Sequence, residues 1–285
     1  MLDQVDRMLL AVHDGEFASA TFNAVLGAEK VLQDKLGAPY NVKRTVVQAG
    51  DSQFELLEPD GDGLIAEYLA SNREGIFGAG FSTTDPEGVE QSLKSAGIAS
   101  ERHGNQLWIE PEQTRGMRTV IQASESRSTV GLVTHLYEVT NIVADHQEAA
   151  DFYARAFSLD QSRFSPIDSS MWGYTGTLTL FDPPAKLDRI EITQTNDPRK
   201  AMGRFYDKHG SSVYMCFMET DDATAIQARL EEREARWTPT ADYPEAGLFI
   251  HPTALHGMLM GISQTGRAWS WSGRPELAPA RPARS

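Results

Sequence analysis

Two glutamates in the second half of the chain are the side chains best suited to do chemistry. Glu138 lies in the apolar stretch LYEVTNIV, and Glu191 lies in RIEIT. In a β-strand the residues at i±1 point to the opposite face, so each carboxylate shares its face only with residues two positions away. Such a carboxylate pairs with an Arg or Lys, lies at a wet sheet edge, or acts as an acid or base. The two stretches alone leave these alternatives open.

Other chemistry has less support. The single cysteine, Cys216, excludes a disulfide framework or a thiolate metal cluster, and we expect it to pack as a small hydrophobic residue. The seven histidines include no HxH or HxxxH pair, which argues against a histidine metal site. No glycine-rich nucleotide loop and no GxSxG motif occurs. Nucleotide binding and acyl-enzyme chemistry are therefore not expected.

The net negative charge of the chain argues against some classes of binding partner. The 285 residues carry a formal net charge of −14, which would repel nucleic acids and anionic membranes. No apolar run reaches the length of a membrane span, and the N-terminus is too short and too acidic for a signal peptide. We therefore expect a cytoplasmic protein with a small-molecule ligand. A homodimer stays an open alternative.

The elements that position the glutamates are repeated along the chain. Residues 72–85 (NREGIFGAGFSTTD) and 209–222 (HGSSVYMCFMETDD) are both apolar strands that close on an acidic turn, with Gly78 where the second copy has Met215. Each half of the chain twice repeats the pattern of a strand, a helix and further strands. The pattern predicts an α+β protein of four β-α-β-β-β modules.

The repeat also sets the expected domain boundaries. The prediction is a first domain at 1–123, a Ser-rich linker at 124–131 and a second domain at 132–264. Residues 265–285, rich in Pro, Ala and Arg, are expected to form a flexible tail. Two tail residues are expected to dock on the body of the protein: Trp269 and Trp271.

This arrangement resembles the vicinal oxygen chelate superfamily, the group of glyoxalase I, methylmalonyl-CoA epimerase, extradiol dioxygenases and bleomycin-resistance proteins. The motifs are VDRMLLAVHDGEFASATFNAVLGAE, YEVTNIVADHQEAADFYARAFSLD and the closing FIHPTALHGMLMGI, and the resemblance extends to about residue 264. It implies two cup-shaped domains. It also implies a divalent metal in a cup, held by His, Glu or Gln from four strands.

The resemblance assigns those four positions in each half. They are Arg7, Glu55, Gly78 and Val120 in the first half, and Glu138, Glu191, Met215 and Gly261 in the second. Neither set is a metal site, so we expect no metal and no cofactor, with a divalent metal as the alternative. In the first cup, Arg7 and Glu55 are expected to form a structural salt bridge, with binding of a ligand carboxylate by Arg7 as the alternative.

In the second cup, the resemblance brings Glu138 and Glu191 within a few ångströms of each other. Two close carboxylates cannot both ionise easily, so the pKa of one should rise, which gives an acid–base pair. Tyr214 or Tyr174 is expected to donate a hydrogen bond to an oxyanion. Further residues are expected to line the cup or cover its mouth: Met171, Trp172, Tyr174, Met215 and Phe205. This lining suits a hydrophobic, aromatic ligand.

These expectations lead to one functional hypothesis and two alternatives. The hypothesis is a metal-independent isomerase, epimerase or lyase that acts on a hydrophobic small molecule. The first alternative is a protein that sequesters its ligand without turnover, as in the bleomycin-resistance branch. The second is a metal-dependent enzyme of the extradiol dioxygenase or glyoxalase type.

Overall fold

The computed structural model describes residues 1–240 and 247–278 of the chain. It contains two eight-stranded sheets. The strands of the first sheet are β1 (Gln4–Ala11), β2 (Glu29–Leu36), β3 (Val42–Ala49), β4 (Ser52–Pro59), β5 (Gly75–Thr83), β6 (Glu101–His103), β7 (Gln106–Ile109) and β8 (Thr119–Ala123). Those of the second are β9 (Leu136–Ile142), β10 (Ser165–Ser169), β11 (Tyr174–Leu180), β12 (Arg189–Thr195), β13 (Ser212–Glu219), β14 (Trp237–Pro239), β15 (Gly247–Ile250) and β16 (Leu259–Ser263). The helices are α1 (Gly15–Leu26), α2 (Leu64–Ser71), α3 (Pro86–Ser95), α4 (His146–Phe157), α5 (Ala201–His209), α6 (Ala223–Glu232) and α7 (Thr265–Ser270).

The two sheets have the same topology. The first runs β2-β3-β4-β1-β5-β8-β7-β6, and the second runs β10-β11-β12-β9-β13-β16-β15-β14. In the first sheet β1 pairs parallel with β4 and antiparallel with β5, and the equivalent pairs in the second sheet have the same directions. Each half is therefore two β-α-β-β-β modules joined at their first strands. This confirms the predicted fold class.

The acidic turns noted in the sequence begin the first helix of each module. Asp14, Asp85, Asp145 and Asp222 are the N-cap residues of α1, α3, α4 and α6. Each carboxylate accepts a backbone N–H of the first helical turn at 2.9 to 3.0 Å. Each cap contributes about 1 kcal/mol to helix stability. The repeated aspartate thus marks where a strand ends and the crossover helix starts.

A β-bulge in the first strand of each half corrects the expectation of strict alternation. The pairing of β9 with β13 skips Tyr137, and the pairing of β1 with β5 skips Asp6. A bulge lets two consecutive residues face the same side of a sheet. Tyr137 therefore faces the same concave surface as Glu138, and Asp6 the same surface as Arg7.

The two halves share one apolar core on the side of the sheets away from the concave faces. Phe81 of the first half lies between Phe157 and Phe181 of the second, with ring centroids 6.3 and 6.0 Å apart. Because this core is continuous, the halves stabilise each other by apolar burial. None of the helices in the described residues is long and apolar enough to cross a membrane.

The two segments outside the predicted domains are both attached to the body. In 124–131, Arg127 forms an ion pair with Asp6 at 2.7 Å, and the Ser128 carbonyl accepts a hydrogen bond from Gln48. From 265 onward the chain continues as α7 and the turn that follows it, and Trp269 is only 3% exposed. The rest of the predicted tail, 279–285, lies outside the described residues.

Candidate functional site in the second cup

The second cup is the concave face of the β9–β16 sheet, and two rows of side chains cross its floor. The strand register gives the first row as Arg189, Glu138, Phe217, Gly261 and Phe249, on β12, β9, β13, β16 and β15. It gives the second row as Leu178, Glu191, Thr140, Met215 and Leu259. Both glutamates therefore lie on the floor, in adjacent strands and adjacent rows.

Glu138 is held by a buried guanidinium. The Nε of Arg189 donates to Oε2 of Glu138 at 2.6 Å, and both side chains are fully buried. The guanidinium carbon lies 5.1 Å from the ring centroid of Tyr137, whose hydroxyl is hydrogen-bonded to Ser263 at 2.8 Å. Nη1 of Arg189 has no hydrogen-bond partner within the described part of the chain. The Arg189–Glu138 pair thus has a buried N–H group, Nη1 of Arg189, that is available to donate a hydrogen bond.

Glu191 is hydrogen-bonded to Glu138, and its pKa is raised. Burial raises its pKa well above the ordinary value, the charge of Glu138 raises it further, and Arg189 and Tyr174 oppose the rise. The Tyr174 hydroxyl is hydrogen-bonded to Glu191, and burial is the main cause that raises the pKa of Tyr174. The raised pKa favours the protonated form of Glu191, which allows one proton to be held between two buried carboxyl groups.

The equivalent glutamate of the first cup has the opposite electrostatics. Glu55 pairs with Arg7 at 2.5 Å and with Arg44 at 3.2 Å, and it accepts a hydrogen bond from Gln106 at 2.5 Å. Burial alone would raise the pKa of Glu55, but Arg7 and Arg44 lower it. The ion pair of Arg7 with Glu55 is the one predicted from the sequence. A fully paired carboxylate of this kind is typical of a structural network.

The segment that follows the second sheet covers the second cup. Trp269 is buried against the cup, and the Trp271 ring lies 5.8 Å from that of Phe217. Nε of Arg274 donates to the Ser165 hydroxyl at 3.3 Å, which ties the segment to β10 on the far side. We call residues 265–278 the covering segment. It spans the mouth of the cup from β16 to β10.

Three of the residues predicted to cover the mouth differ in their positions. Tyr174 lies inside, against Glu191. Trp172 is 46% exposed, and its ring lies 6.1 Å from that of Phe249, at the rim. Met171 is 64% exposed.

The other predicted site residues divide between two places. Met215 is buried on the cup floor, one row from Glu138. Phe205 and Tyr214 lie together with ring centroids 5.0 Å apart, and both line a groove between the two halves. Burial raises the pKa of Tyr214, and the charge of Arg204 opposes this rise. The structure thus brings Glu138, Glu191, Tyr174 and Met215 together. Tyr214 packs both against the cup cluster that contains Met215 and against the cluster that contains Tyr174, and Phe205 packs against the second of these.

Sequence reasoning missed the most important neighbour of the pair. Arg189 stands two residues before Glu191 in the same strand, so alternation alone would have placed it on the same face. Tyr137 could not be found in this way, because it reaches the cup only through the bulge. The two tryptophans of the covering segment indicated that it docks on the body of the protein. Nothing in the sequence indicated that it docks on the second cup.

No family model and no curated protein matches the chain. Among solved structures, a mutant of 4-hydroxymandelate synthase from Streptomyces coelicolor superimposes with a TM-score of 0.72 and 13% identity, over 93% of both chains. A fusion of a xylose isomerase-like TIM barrel with a 4-hydroxyphenylpyruvate dioxygenase matches 93% of this chain and 49% of its own, with a TM-score of 0.62 and 11% identity. A methylmalonyl-CoA epimerase from Mycobacterium tuberculosis matches 47% of this chain and 89% of its own, with 23% identity. Its TM-score is 0.39, so no argument is based on this match.

These matches define the class of the protein. The chain has the two-domain vicinal oxygen chelate fold, which confirms the resemblance seen in its sequence. The names of the first two structures refer to 4-hydroxymandelate and to 4-hydroxyphenylpyruvate. At 11% to 13% identity the likeness establishes the fold and leaves the reaction of this chain open.

The comparison corrects the prediction that no cofactor is required. Both whole-chain matches, 4-hydroxymandelate synthase and the 4-hydroxyphenylpyruvate dioxygenase fusion, point to a divalent metal for proteins of this structure. These two structures therefore contradict the prediction that the protein needs no cofactor.

The residues at the expected positions do not fit such a metal. The carboxylate of Glu138 is paired with Arg189, and Glu191 is hydrogen-bonded to Glu138. The next positions in the row are Phe217 and Gly261, and a Cβ on Gly261 would lie 2.1 Å from the Phe217 ring, so this ring occupies the space above the glycine. Among the described residues, no group of three or more His, Cys, Asp or Glu could hold a metal ion. The roles assigned below are therefore those of side chains alone.

Proposed function

We propose that the second cup is an active site for proton transfer at carbon in a small, hydrophobic, aromatic molecule. The observation that carries the proposal is the hydrogen-bonded pair of buried carboxyl groups, Glu138 and Glu191, in which the pKa of Glu191 is raised. An ionised and a neutral carboxyl group side by side supply a base and an acid near neutral pH. Such a pair suits an isomerase or epimerase.

The roles follow from what each group contacts. Glu138, the charged member of the pair, removes a proton from carbon next to a carbonyl. Glu191, the neutral member, gives its proton to the carbonyl oxygen as negative charge develops there, and the reverse transfers complete the reaction. The free Nη1 donor of Arg189 stabilises the same oxygen. Tyr174 holds the Glu191 carboxyl group in place through its hydroxyl.

The walls support an aromatic ligand. Phe217, Phe249, Tyr137 and Trp271 surround the carboxyl pair, with Phe217 and Phe249 ring centroids 5.8 Å apart. Offset and edge-to-face packing of rings favours a flat apolar guest over a polar one. Entry requires the covering segment to move, because it closes the mouth of the cup.

The experiment measures exchange of carbon-bound hydrogen in D₂O. With phenylacetone as a simple aromatic carbon acid, proton NMR should show exchange next to the carbonyl that depends on the protein. We expect Glu138→Gln and Glu191→Gln each to slow this exchange by at least ~10²-fold, the usual size of an acid–base contribution. Glu55→Gln is the matched control, because it makes the same change at the equivalent strand of the first cup. Parent-like exchange in both second-cup variants would contradict the proposal.

A second candidate is a protein that only sequesters its ligand. The covering segment favours it, since Trp269 and Trp271 close an aromatic cup. The two candidates differ in outcome. Saturable binding of aromatic ketones without any exchange, in the parent as in the variants, would favour sequestration.

A further inference from the structure

We propose that the groove between the two halves is a second binding site, for a small aromatic carboxylate. The groove has a volume of about 460 Å³, which suits a ligand of one or two rings. One wall comes from α2, β5 and the start of β8, and the other from α5 and β13. Its lining residue Tyr214 also packs against the apolar cluster of the second cup, but the proposal does not depend on the reaction proposed there.

Positive charge lines this groove although the chain as a whole carries a net charge of −14. Arg73 and Lys208 are exposed, and neither forms an ion pair in the described part of the chain. Arg118 lies deeper, with its side chain 10% exposed. Three cations that face one groove in an acidic protein would attract an anion.

Arg118 is the strongest sign of a ligand. Its guanidinium pairs with Glu110 and lies 3.9 Å from the Phe77 ring centroid, so it is fixed in the wall. Its Nε is buried and has no hydrogen-bond partner among the described residues. A buried donor without a partner costs free energy, and a ligand oxygen would satisfy it.

The acidic residue in the groove is already occupied. Glu74 pairs with His256 at 2.8 Å and accepts the backbone N–H of His13 at 2.7 Å. Among the described residues, neither Arg73 nor Lys208 forms an ion pair with this carboxylate.

Aromatic side chains fix the other half of the ligand. Phe205 lies edge-on to Tyr214 at 5.0 Å and 4.6 Å from the His209 ring, on the wall that faces Arg118. Burial, and then Lys208, lowers the pKa of His209, so this ring is neutral at pH 7 and adds a face for stacking. Cations from both walls, next to the rings of α5 and β13, suit a carboxylate attached to an aromatic ring.

The test is binding of 1-naphthoate to the full-length protein, followed by amide shifts in NMR. We expect saturable shifts at Gly116 and Gly257, which lie in the groove, and no saturation with 1-naphthamide, which lacks the charge. The double variant Arg73→Ala with Lys208→Ala should weaken binding by at least ~10-fold, as expected when charge-assisted hydrogen bonds are lost.

The matched control is Lys94→Ala with Arg233→Ala, which removes two exposed cations elsewhere and changes the net charge equally. Its affinity for 1-naphthoate should stay within about two-fold of the parent, a difference well below one tenfold step. Equal weakening in both double variants, equal binding of the amide, or no saturable binding at millimolar naphthoate would each overturn the proposal. Thermal unfolding of both variants confirms that they are folded.

Discussion

Glu191 and Glu55 occupy equivalent strands of duplicated cups, yet their pKa values move in opposite directions. Two guanidinium groups contact Glu55, whereas Glu191 contacts a second glutamate. Both are buried, so the difference arises from the neighbours rather than from exposure. The same position in the two cups thus has opposite electrostatics because its neighbours differ.

At this scale, exchange of Glu191 for Gln should not destabilise the protein. The pKa of Glu191 is raised in the folded state, so the stability linked to its proton is present at low pH and is lost as the pH rises through that value. Gln cannot ionise and keeps an N–H that can donate to Glu138. We expect Glu191→Gln to match the parent at pH 6 and to exceed its free energy of unfolding at high pH, measured by urea denaturation.

The same exchange at Glu138 should have the opposite effect. Glu138→Gln leaves the guanidinium of Arg189 buried without its counter-charge. We expect a loss of about 3 to 5 kcal/mol in the free energy of unfolding, the usual cost of breaking a buried pair. We infer that the proton belongs to Glu191 rather than to Glu138. Similar stabilities for the two variants would contradict this inference.

At the scale of elements, the repeated modules were predictable and side-chain direction was only partly so. The repeated strand, capping aspartate and helix identify the modules, and the strands of Glu138 and Glu191 follow from the repeat. Tyr137 was missed because a bulge breaks alternation, and a bulge depends on pairing with β13 rather than on β9 alone. Arg189 was missed although alternation placed it correctly.

The position of the covering segment could not be predicted from the sequence, because the segment docks on a surface formed by strands that are distant along the chain. We expect truncation after Gln264 to lower the free energy of unfolding and to increase the fluorescence of a bound hydrophobic dye, since Phe217 and Phe249 lose their cover. The matched control is truncation after Ala278, which keeps the whole segment. Identical dye binding by the two truncated proteins would show that the segment does not close the cup.

At the scale of the whole molecule, polar contacts join the halves in addition to the shared core. Asp188 of the second half accepts the backbone N–H of Val5 at 2.7 Å. Burial raises the pKa of Asp188 to about 6, while His135 opposes the rise. A buried acid at the junction links the docking of the halves to pH.

The sign of this link is set by the raised pKa. The stability from protonated Asp188 is present at low pH and is lost as the pH rises through about 6. Asp188→Asn keeps an oxygen that accepts from Val5 but cannot ionise. We expect the free energy of unfolding of the parent, relative to this variant, to fall between about pH 4 and pH 7. A constant difference across this range would contradict the assignment.

The shared proton is the central claim, and infrared spectroscopy tests it most directly. At pH 8, where Asp188 is ionised, the parent should show the C=O band of a protonated carboxyl group that shifts in D₂O. That band should be absent from Glu191→Gln and present in Glu55→Gln, since the pKa of Glu55 is lowered. A parent spectrum without a protonated carboxyl band, or a band that persists in Glu191→Gln, would contradict the account.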